Sequence, residues 1–449
     1  MVASCTFAPA FELPSRRAAD RVADIPSVTT SAASVGLPAQ AKPSFDRLRV
    51  AGAGTLLGRH LAEMEGIDDA PLVEGNEVRL LIDGPATFAA MFAAIERARR
   101  SVLLETYIFE ADELGQKMAA LLAKKRAEGV DVQVLYDSIG SIGTPPDFFA
   151  GLRDARIAVC EFNPVNPIKG RAVDLNHRDH RKILIVDGVV AFTGGVNVSS
   201  VYSRGSASRG RTPPASDDKT KSGWRDTQIE VRGPAVVEFH RLFADTWNKQ
   251  QCEPAEVPTL ITPARQGDKF VRVIGSTPDA PTNYIYLELL SALRHAERNI
   301  YITMAYFVPD AQTIDALTSA ATRGVDVRLV LPGFSDSATV FHAGRSHYDL
   351  LLSAGVRIYE RQDALLHAKT AVIDGVWSMV GSANIDWRSF IHNDEVSAIV
   401  LGDGFARQMT VVYEQDLTRS TQIDATAWKD RGVAARAREI WGRLWEYWL

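Results

Sequence analysis

Two hydrophobic periods alternate along this chain. Stretches with apolar residues three and four apart run repeatedly into short, unbroken apolar segments of strand length. Arg97 to Phe109 (RARRSVLLETYIF) is one such junction, a helix end entering a strand, and His295 to Val308 (HAERNIYITMAYFV) repeats it with a small change in length. Gly129 to Tyr136 (GVDVQVLY) matches Gly324 to Leu331 (GVDVRLVL), and Ala155 to Val159 (ARIAV) matches Gly355 to Tyr359 (GVRIY). Helix and strand alternate in both copies, so the pattern predicts two similar α/β domains. A proline-interrupted polar run from Pro254 to Pro263 separates them. The expected layout is a weakly structured extension with short helical pieces over 1–74, a first domain over 75–255 and a second over 256–449.

A fourth matched pair carries chemistry. His180-Arg-Lys182-Ile-Leu-Ile-Val-Asp187-Gly188 recurs as His367-Ala-Lys369-Thr-Ala-Val-Ile-Asp374-Gly375. Gly194 and Asn197 follow His180 by 14 and 17 residues, and Gly381 and Asn384 follow His367 by the same intervals. An apolar run ending in Asp-Gly and followed by another apolar run predicts a hairpin. If Asp187-Gly188 is a two-residue turn, Val186 faces Val189, His180 stands opposite Gly195, and the matching count sets His367 opposite Ser382. Residues two apart on a strand share a face, so each histidine projects with its lysine. Lysine and asparagine beside an imidazole suit an anion with several acceptor oxygens, and a phosphoryl group fits best.

Each imidazole also needs a carboxylate to fix its tautomer. Glu395 lies 28 residues after His367, and its counterpart after His180 is Asp226, 46 residues on. The excess is accounted for by Ser199 to Gly223, a Ser-, Gly-, Arg- and Pro-rich insertion that reads as a mobile loop beside the site. Asp187 and Asp374 belong to the repeated motif, but at a turn a structural role is expected of them over direct catalysis. His177 and His347 are expected to be structural, and the other histidines show no metal-ligand spacing.

Fifty Lys plus Arg against 55 Asp plus Glu give a formal charge of -5, which argues against a bulk nucleic-acid binder. Three cysteines, Cys5, Cys160 and Cys252, permit at most one internal bridge and form no CxxC pair. The longest uncharged stretches, Ile25 to Ala41 and Gly188 to Ser203, are interrupted by Ser, Thr, Gly or Pro and do not read as membrane spans. Small residues running into Cys5 look like the tail of a lipoprotein signal without its apolar region, against the plainer reading of a cysteine in a disordered segment. Four of the eight tryptophans, Trp428, Trp441, Trp445 and Trp448, lie near the end of the chain. Arg436 to Leu449 is therefore expected to be an amphipathic helix with an aromatic face, which packing against the second domain or contact with a membrane explains, packing being preferred.

The paired HxKx4D motifs with their GGxN and GSxN sequels resemble the phospholipase D superfamily over residues 75 to 449. Asn176 to His180, Gly194 to Asn197, Trp224-Arg-Asp-Thr227, Gly381 to Phe390 and His392 to Glu395 are similar to bacterial cardiolipin synthases. So are Glu105 to Phe109 and Tyr306 to Asp310. The longer members carry two N-terminal transmembrane helices, so the resemblance is to a short form, peripheral to or lipid-anchored on the bacterial cell membrane. It implies two phospholipase D-like domains, each a mixed β-sheet flanked by helices, related by a pseudo-two-fold axis. It further implies a phosphohistidine on His180, acid and base work by His367, and nonbridging oxygens held by Lys182, Lys369, Asn197 and Asn384. No metal and no cofactor enter that scheme. The expected reaction moves a phosphatidyl group from phosphatidylglycerol or a related phospholipid to a second phospholipid hydroxyl. Alternatives are hydrolysis to phosphatidic acid, nucleic-acid cleavage, disfavoured by charge, and a noncatalytic lipid-binding protein, which intact motifs in both halves oppose.

Overall fold

A computed structural model describes residues 54–64, 70–165, 175–206, 223–254, 256–259 and 262–448. Cys5 and most of the predicted extension, together with residues 207–222 of the predicted loop, lie outside them. The strands of the first half are β1 (Leu72–Ile82), β2 (Ser101–Thr106), β3 (Asp131–Asp137), β4 (Ala158–Phe162), β5 (Arg178–Asp179), β6 (Lys182–Val186), β7 (Val190–Gly194) and β8 (Thr227–Arg232). Those of the second are β9 (Lys269–Ser276), β10 (Asn299–Met304), β11 (Asp326–Pro332), β12 (Arg357–Arg361), β13 (Lys369–Ile373), β14 (Trp377–Gly381), β15 (Asn393–Leu401) and β16 (Ser420–Gln422). Helices α1 (Gly54–Met64), α2 (Asp83–Arg97), α3 (Glu113–Ala127), α4 (Pro146–Asp154), α5 (Val236–Lys249), α6 (Tyr284–His295) and α7 (Ala311–Thr322) come first in chain order. They are followed by α8 (Ala338–Arg345), α9 (Tyr348–Ser353), α10 (Trp387–Ile391), α11 (Asp403–Thr418), α12 (Ala425–Lys429) and α13 (Val433–Leu444).

One mixed sheet runs through both halves. Outward from its middle the first half reads β1, β8, β7, β6, β2, β3, β4, and the second reads β9, β15, β14, β13, β10, β11, β12. The identical order is the two-fold repeat expressed as topology. The halves join where β1 pairs antiparallel with β9, Leu72 opposite Arg272. Parallel β2, β3 and β4, and parallel β10, β11 and β12, account for the near-continuous apolar runs, since both faces of such strands are covered.

The middle of the sheet is covered by α5 and α11. Phe239, Phe243 and Trp247 of α5 and Phe405 and Met409 of α11 share one apolar core with Val231, Val271, Val273, Val396 and Ala398, strands of both halves. Helix α1 docks on the second half, where His60 meets Ser291 at 3.0 Å and Glu288 at 2.8 Å. Organised chain thus precedes Gly75. Cys160 of β4 is bonded to Cys252, just beyond α5.

Both catalytic-motif hairpins form, with a one-residue difference from the expected register. Asp187 and Gly188 have φ values of 55° and 68°, and Val189 donates to the Val186 carbonyl at 3.0 Å, the geometry of the expected Asp-Gly turn. The ladder then pairs Val186 with Val190, leaving Val189 as an extra residue. Val376 does the same in the second hairpin, where Ile373 pairs with Trp377. His180 and His367 therefore do not stand opposite Gly195 and Ser382. The extra residue beside the turn shifts every downstream pair by one.

The last helix is shorter than the pattern suggested and packs differently. It spans Val433–Leu444, with one further turn at Glu446–Trp448. Glu439 and Gly442 are its buried positions, and Gly442 lies so close to α8 that an added Cβ would come within 2.5 Å of the Ala343 nitrogen. Packing therefore uses the small and polar side of α13. The aromatic side points outward.

Candidate active site

Lys182 begins β6 opposite Thr106, and Lys369 begins β13 opposite Met304. Each motif histidine thus sits beside the carboxyl ends of its half's parallel strands, where the crevices of open α/β sheets lie. His180 and His367 are 9% and 5% exposed, and both lysines are fully buried. The four groups act on one another: Lys369 is among the charges that depress His180, and Lys182 among those that depress His367. One cluster between the halves contains the histidine and lysine of both motifs.

The carboxylates reach across it. Glu395 of the second half accepts from His180 Nδ1, both oxygens at 3.0 Å, and Asp226 of the first half accepts from His367 Nδ1 at 2.8 Å. Neither serves the histidine it follows in sequence. The backbone crosses in the same way. His180 N–H donates to the Asp394 carbonyl at 2.9 Å, and His367 N–H donates to the Arg225 carbonyl at 2.8 Å. Strand β5 pairs parallel with β15 at the same place. Buried Arg181 fixes this crossing by donating to the carbonyls of Glu395 and Ser276 and to the Thr246 hydroxyl.

With Nδ1–H given to a carboxylate, each neutral ring carries its lone pair on Nε2. Burial, reinforced by Lys182 and Lys369 and only partly offset by Glu395, pushes His180 down to about 4. His367 is lowered too, by burial first and Lys369 second. Burial also lowers Lys182 to about 7 and Lys369 to about 8. Burial raises Glu395, but the charge and hydrogen bond of His180, with Lys182, outweigh this and hold it at about 2. The cluster sets two lysines and two histidines beside Glu395 and Asp226, and burial weakens proton binding at all four basic groups. An anion bound there raises every one of the depressed basic groups.

Each lysine ammonium donates to the carbonyl of its own motif histidine, Lys182 at 2.6 Å and Lys369 at 2.5 Å, which aims it beside the ring. Asn197 accepts from Ile108 N–H at 3.2 Å, and Asn384 from Tyr306 N–H at 3.3 Å. Asp187 and Asp374 stand outside this cluster, one strand length away. Asp187 accepts from the backbone amides of Arg99, Arg100 and Ser101, and Asp374 from those of Glu297, Arg298 and Asn299. Each clamps its hairpin turn to the start of the neighbouring strand. His177 bonds Asp394 at 2.9 Å, and His347 bonds Glu446 at 3.1 Å.

Several further neighbours have no role assigned by the repeat, although Tyr107, Trp224, Ser382 and Asn393 stand in segments that carry the resemblance. Tyr107 packs edge-on against His180, ring centroids 5.0 Å apart, and lies 5.2 Å from Lys182 Nζ. Trp224 lies 5.2 Å from His367, and the Tyr202 hydroxyl is 3.3 Å from His367 Nδ1. Ser382 and Asn393 donate to the Glu395 carboxylate. Tyr202 was discoverable in one respect: it follows Asn197 by the interval at which Ser389 follows Asn384, so it occupies a matched position at the start of the insertion.

Two like halves on one sheet, each giving a histidine and a lysine to a shared cluster in which each imidazole is braced by the other half's carboxylate, define an enzyme of the phospholipase D type. A family model described as "Cardiolipin synthase, PLD-like domain" matches residues 91–204 and 289–417. The chain belongs to that family. Cardiolipin synthase of Geobacillus sp. (strain WCH70) is 34% identical over 382 residues, covering 84% of this chain and 73% of the relative. Cardiolipin synthase A of Pseudomonas fluorescens (strain SBW25) is 37% identical over 365 residues, covering 81% and 73%. Among solved structures, phosphatidylserine synthase of Haemophilus influenzae Rd KW20 shares the fold with a TM-score of 0.64 at 12% identity, covering 90% of this chain and all of that one.

Proposed function

We propose that this phosphatidyltransferase of the phospholipase D superfamily makes cardiolipin from two molecules of phosphatidylglycerol. The observation that supports this most is the pair of Nδ1-anchored imidazoles, one from each half, facing a common site with two buried lysines. Nε2 of His180 attacks phosphorus, the bond from phosphorus to the glycerol headgroup oxygen breaks, and His367 Nε2–H gives that oxygen its proton. Free glycerol leaves. His367 Nε2 then removes the proton from a hydroxyl of the second lipid, whose oxygen attacks phosphorus. The phosphorus–nitrogen bond breaks and His180 is restored. Lys182, Lys369, Asn197 and Asn384 hold the nonbridging oxygens as charge builds on them.

The two histidines must hold opposite protonation states at the first step. His180 is the ring held neutral by burial, and its carboxylate is bound by Ser382 and Asn393 besides, which suits the nucleophile. The arriving phosphodiester supplies the negative charge that lets His367 carry a proton. The enzyme acts at the surface of the bacterial membrane that contains its substrates.

Labelled phosphatidylglycerol vesicles, incubated with the protein and with its His180→Ala and His367→Ala variants, test the reading by product analysis. Cardiolipin plus free glycerol, absent with both variants, is the expected result. Phosphatidic acid as the main product moves the assignment to hydrolysis, and no turnover of any phospholipid overturns it.

A further inference from the structure

Among the described residues no helix is long and apolar enough to cross a membrane, yet α13 presents a broad apolar face to the outside. Val433, Ile440 and Leu444 are 84%, 63% and 74% exposed, and Trp441 and Trp445 are each about half exposed. With Ala437, they fall within roughly 140° of the helix circumference at about 100° per residue. Glu439 and Gly442 lie on the opposite side, against α8, so the helix is already anchored without its aromatic face. Arg438 borders that face on one flank, and Arg436 and Arg443 on the other. An apolar strip bearing tryptophans and bordered on both sides by arginines has the composition of a helix lying in a lipid headgroup layer. There the aromatic rings sit at the boundary and the guanidinium groups meet phosphate. A helix awaiting a protein partner needs no such double cationic border.

The position of α13 adds to this. The turn that follows it, Glu446–Trp448, packs against α10, with Tyr447 and Trp387 rings 5.6 Å apart. Trp387 opens α10, three residues beyond Asn384, at the end of the loop that carries that asparagine into the catalytic cluster. Glu446 is held by His347 at 3.1 Å. The aromatic strip is therefore joined, through this turn, to the segment beside Asn384 at the active site.

We propose that α13 is an interfacial anchor that docks the enzyme on a bilayer of anionic phospholipid and holds the active-site rim against it. This rests on reading the site as one that works on phospholipid. Contact with a bilayer bearing phosphatidylglycerol buries the strip and neutralises the three arginines. It presents the Asn384 loop to headgroups already in place.

The test is flotation of the full chain with phosphatidylglycerol vesicles and with phosphatidylcholine vesicles, beside Trp441→Ser/Trp445→Ser and Arg436→Glu/Arg443→Glu. Turnover is followed separately on short-chain phosphatidylglycerol below its micelle concentration. Vesicle affinity should fall about tenfold or more with the tryptophan pair, and by at least about fivefold per arginine reversed on anionic vesicles alone. Turnover of monomeric substrate should stay unchanged in both. Equal flotation of wild type and folded variants overturns the proposal. So does light scattering that shows the strip to be a dimer interface, with wild-type dimer, variant monomer and unchanged flotation. Failure of the functional reading is distinct, because it abolishes turnover of the monomeric lipid and leaves flotation as it was.

Discussion

The two histidine sites share a frame and differ in their walls. Each histidine amide bonds a carbonyl of the other half, each lysine bonds its own histidine's carbonyl, and each asparagine accepts from the backbone just beyond a central strand. Around that frame, matched positions diverge. Tyr107 against His180 corresponds to Ala305, because each precedes the residue whose amide bonds the motif asparagine. Ser382, which bonds Glu395, corresponds to Gly195. An added Cβ at Gly195 would come within 2.2 Å of Asp226 Oδ1. Asn393, which also bonds Glu395, corresponds to Trp224, which packs on His367. The backbone supplies equivalent positions, as a symmetric dimer would, and the side chains give the two imidazoles different surroundings. A two-step transfer needs that difference, since one histidine must bond to phosphorus while the other carries the proton.

The largest effects break the pair outright. His180→Ala and His367→Ala should each lower transfer by about 10⁴-fold or more. The variants should then differ with a donor whose leaving group needs no proton. His367→Ala should accumulate labelled phosphatidyl-enzyme, and His180→Ala none, measured by protein-bound label after an alkaline quench. Label on His180→Ala alone would exchange the two roles. Next in size, Glu395→Gln and Asp226→Asn keep shape and remove charge, and each should cost about 10² to 10⁴ in kcat. Because the carboxylates cross, Glu395→Gln should slow formation of the phosphatidyl-enzyme, although Glu395 belongs to the half that carries His367.

Gly195→Ser against Ser382→Gly sharpens the comparison further. At 195 the new side chain displaces Asp226 from His367, so a loss of about 10² in kcat is expected, with the folded state retained by thermal melting. At 382 the substitution removes one of the donors to Glu395, and a loss within about tenfold is expected. Equal effects would show that the two carboxylates are held alike.

The pH profile separates the histidines without mutation. The His180 proton is bound less readily in the folded site than in the free side chain, so neutral His180 persists as pH falls through 6.5 and is lost only towards about 4. The acid limb of kcat/KM should therefore lie well below an ordinary histidine's. In the proposed mechanism the lowered His367 must be protonated to act, and Lys182 loses its charge above about 7, so kcat/KM should decline on the alkaline side. Bound phosphate raises His367, so the optimum of kcat should lie at higher pH than that of kcat/KM. Coincident optima would mean that the substrate's charge does not set the proton on His367.

Much of this frame was written in the sequence, because repetition constrains it. His180 and Lys182 recur with His367 and Lys369, and apolar β-branched runs before Asp-Gly specify the hairpins. The register shift was not legible, since Val189 and Val376 are ordinary strand residues and only the ladder reveals them as extra. Nor was the crossing of Glu395 and Asp226. Sequence order places a carboxylate after each histidine, but which ring it meets depends on β5 pairing with β15 across the junction. Tyr107 and Trp224 stand in segments that carry the resemblance, but the repeat assigns them no role: they are positions where the two halves differ, and a search for repeats selects positions where they agree. The face by which α13 packs turned on Gly442, whose missing side chain counts for nothing in an apolar pattern.

The smallest expected effect isolates one hydroxyl. Tyr202 occupies the position matched by Ser389, but the larger side chain reaches the catalytic ring. Its oxygen accepts from Asn197 Nδ2 at 3.1 Å and lies 3.3 Å from His367 Nδ1, while its ring packs against Trp224 and His367. The Ser389 hydroxyl accepts from Asn384 N–H of its own loop, at 3.0 Å. Tyr202→Phe keeps the ring contacts and removes the link between Asn197 and His367, so melting should be little changed while kcat falls about fivefold, the worth of one ordinary hydrogen bond. The loss should appear with donors that need protonation and vanish with an activated leaving group, because the link bears on the ring proposed to supply the proton. A loss of the same size with both donors would place the effect on Asn197 and the phosphate oxygens instead, and would make this corner of the first half equivalent in role to Ser389 in the second.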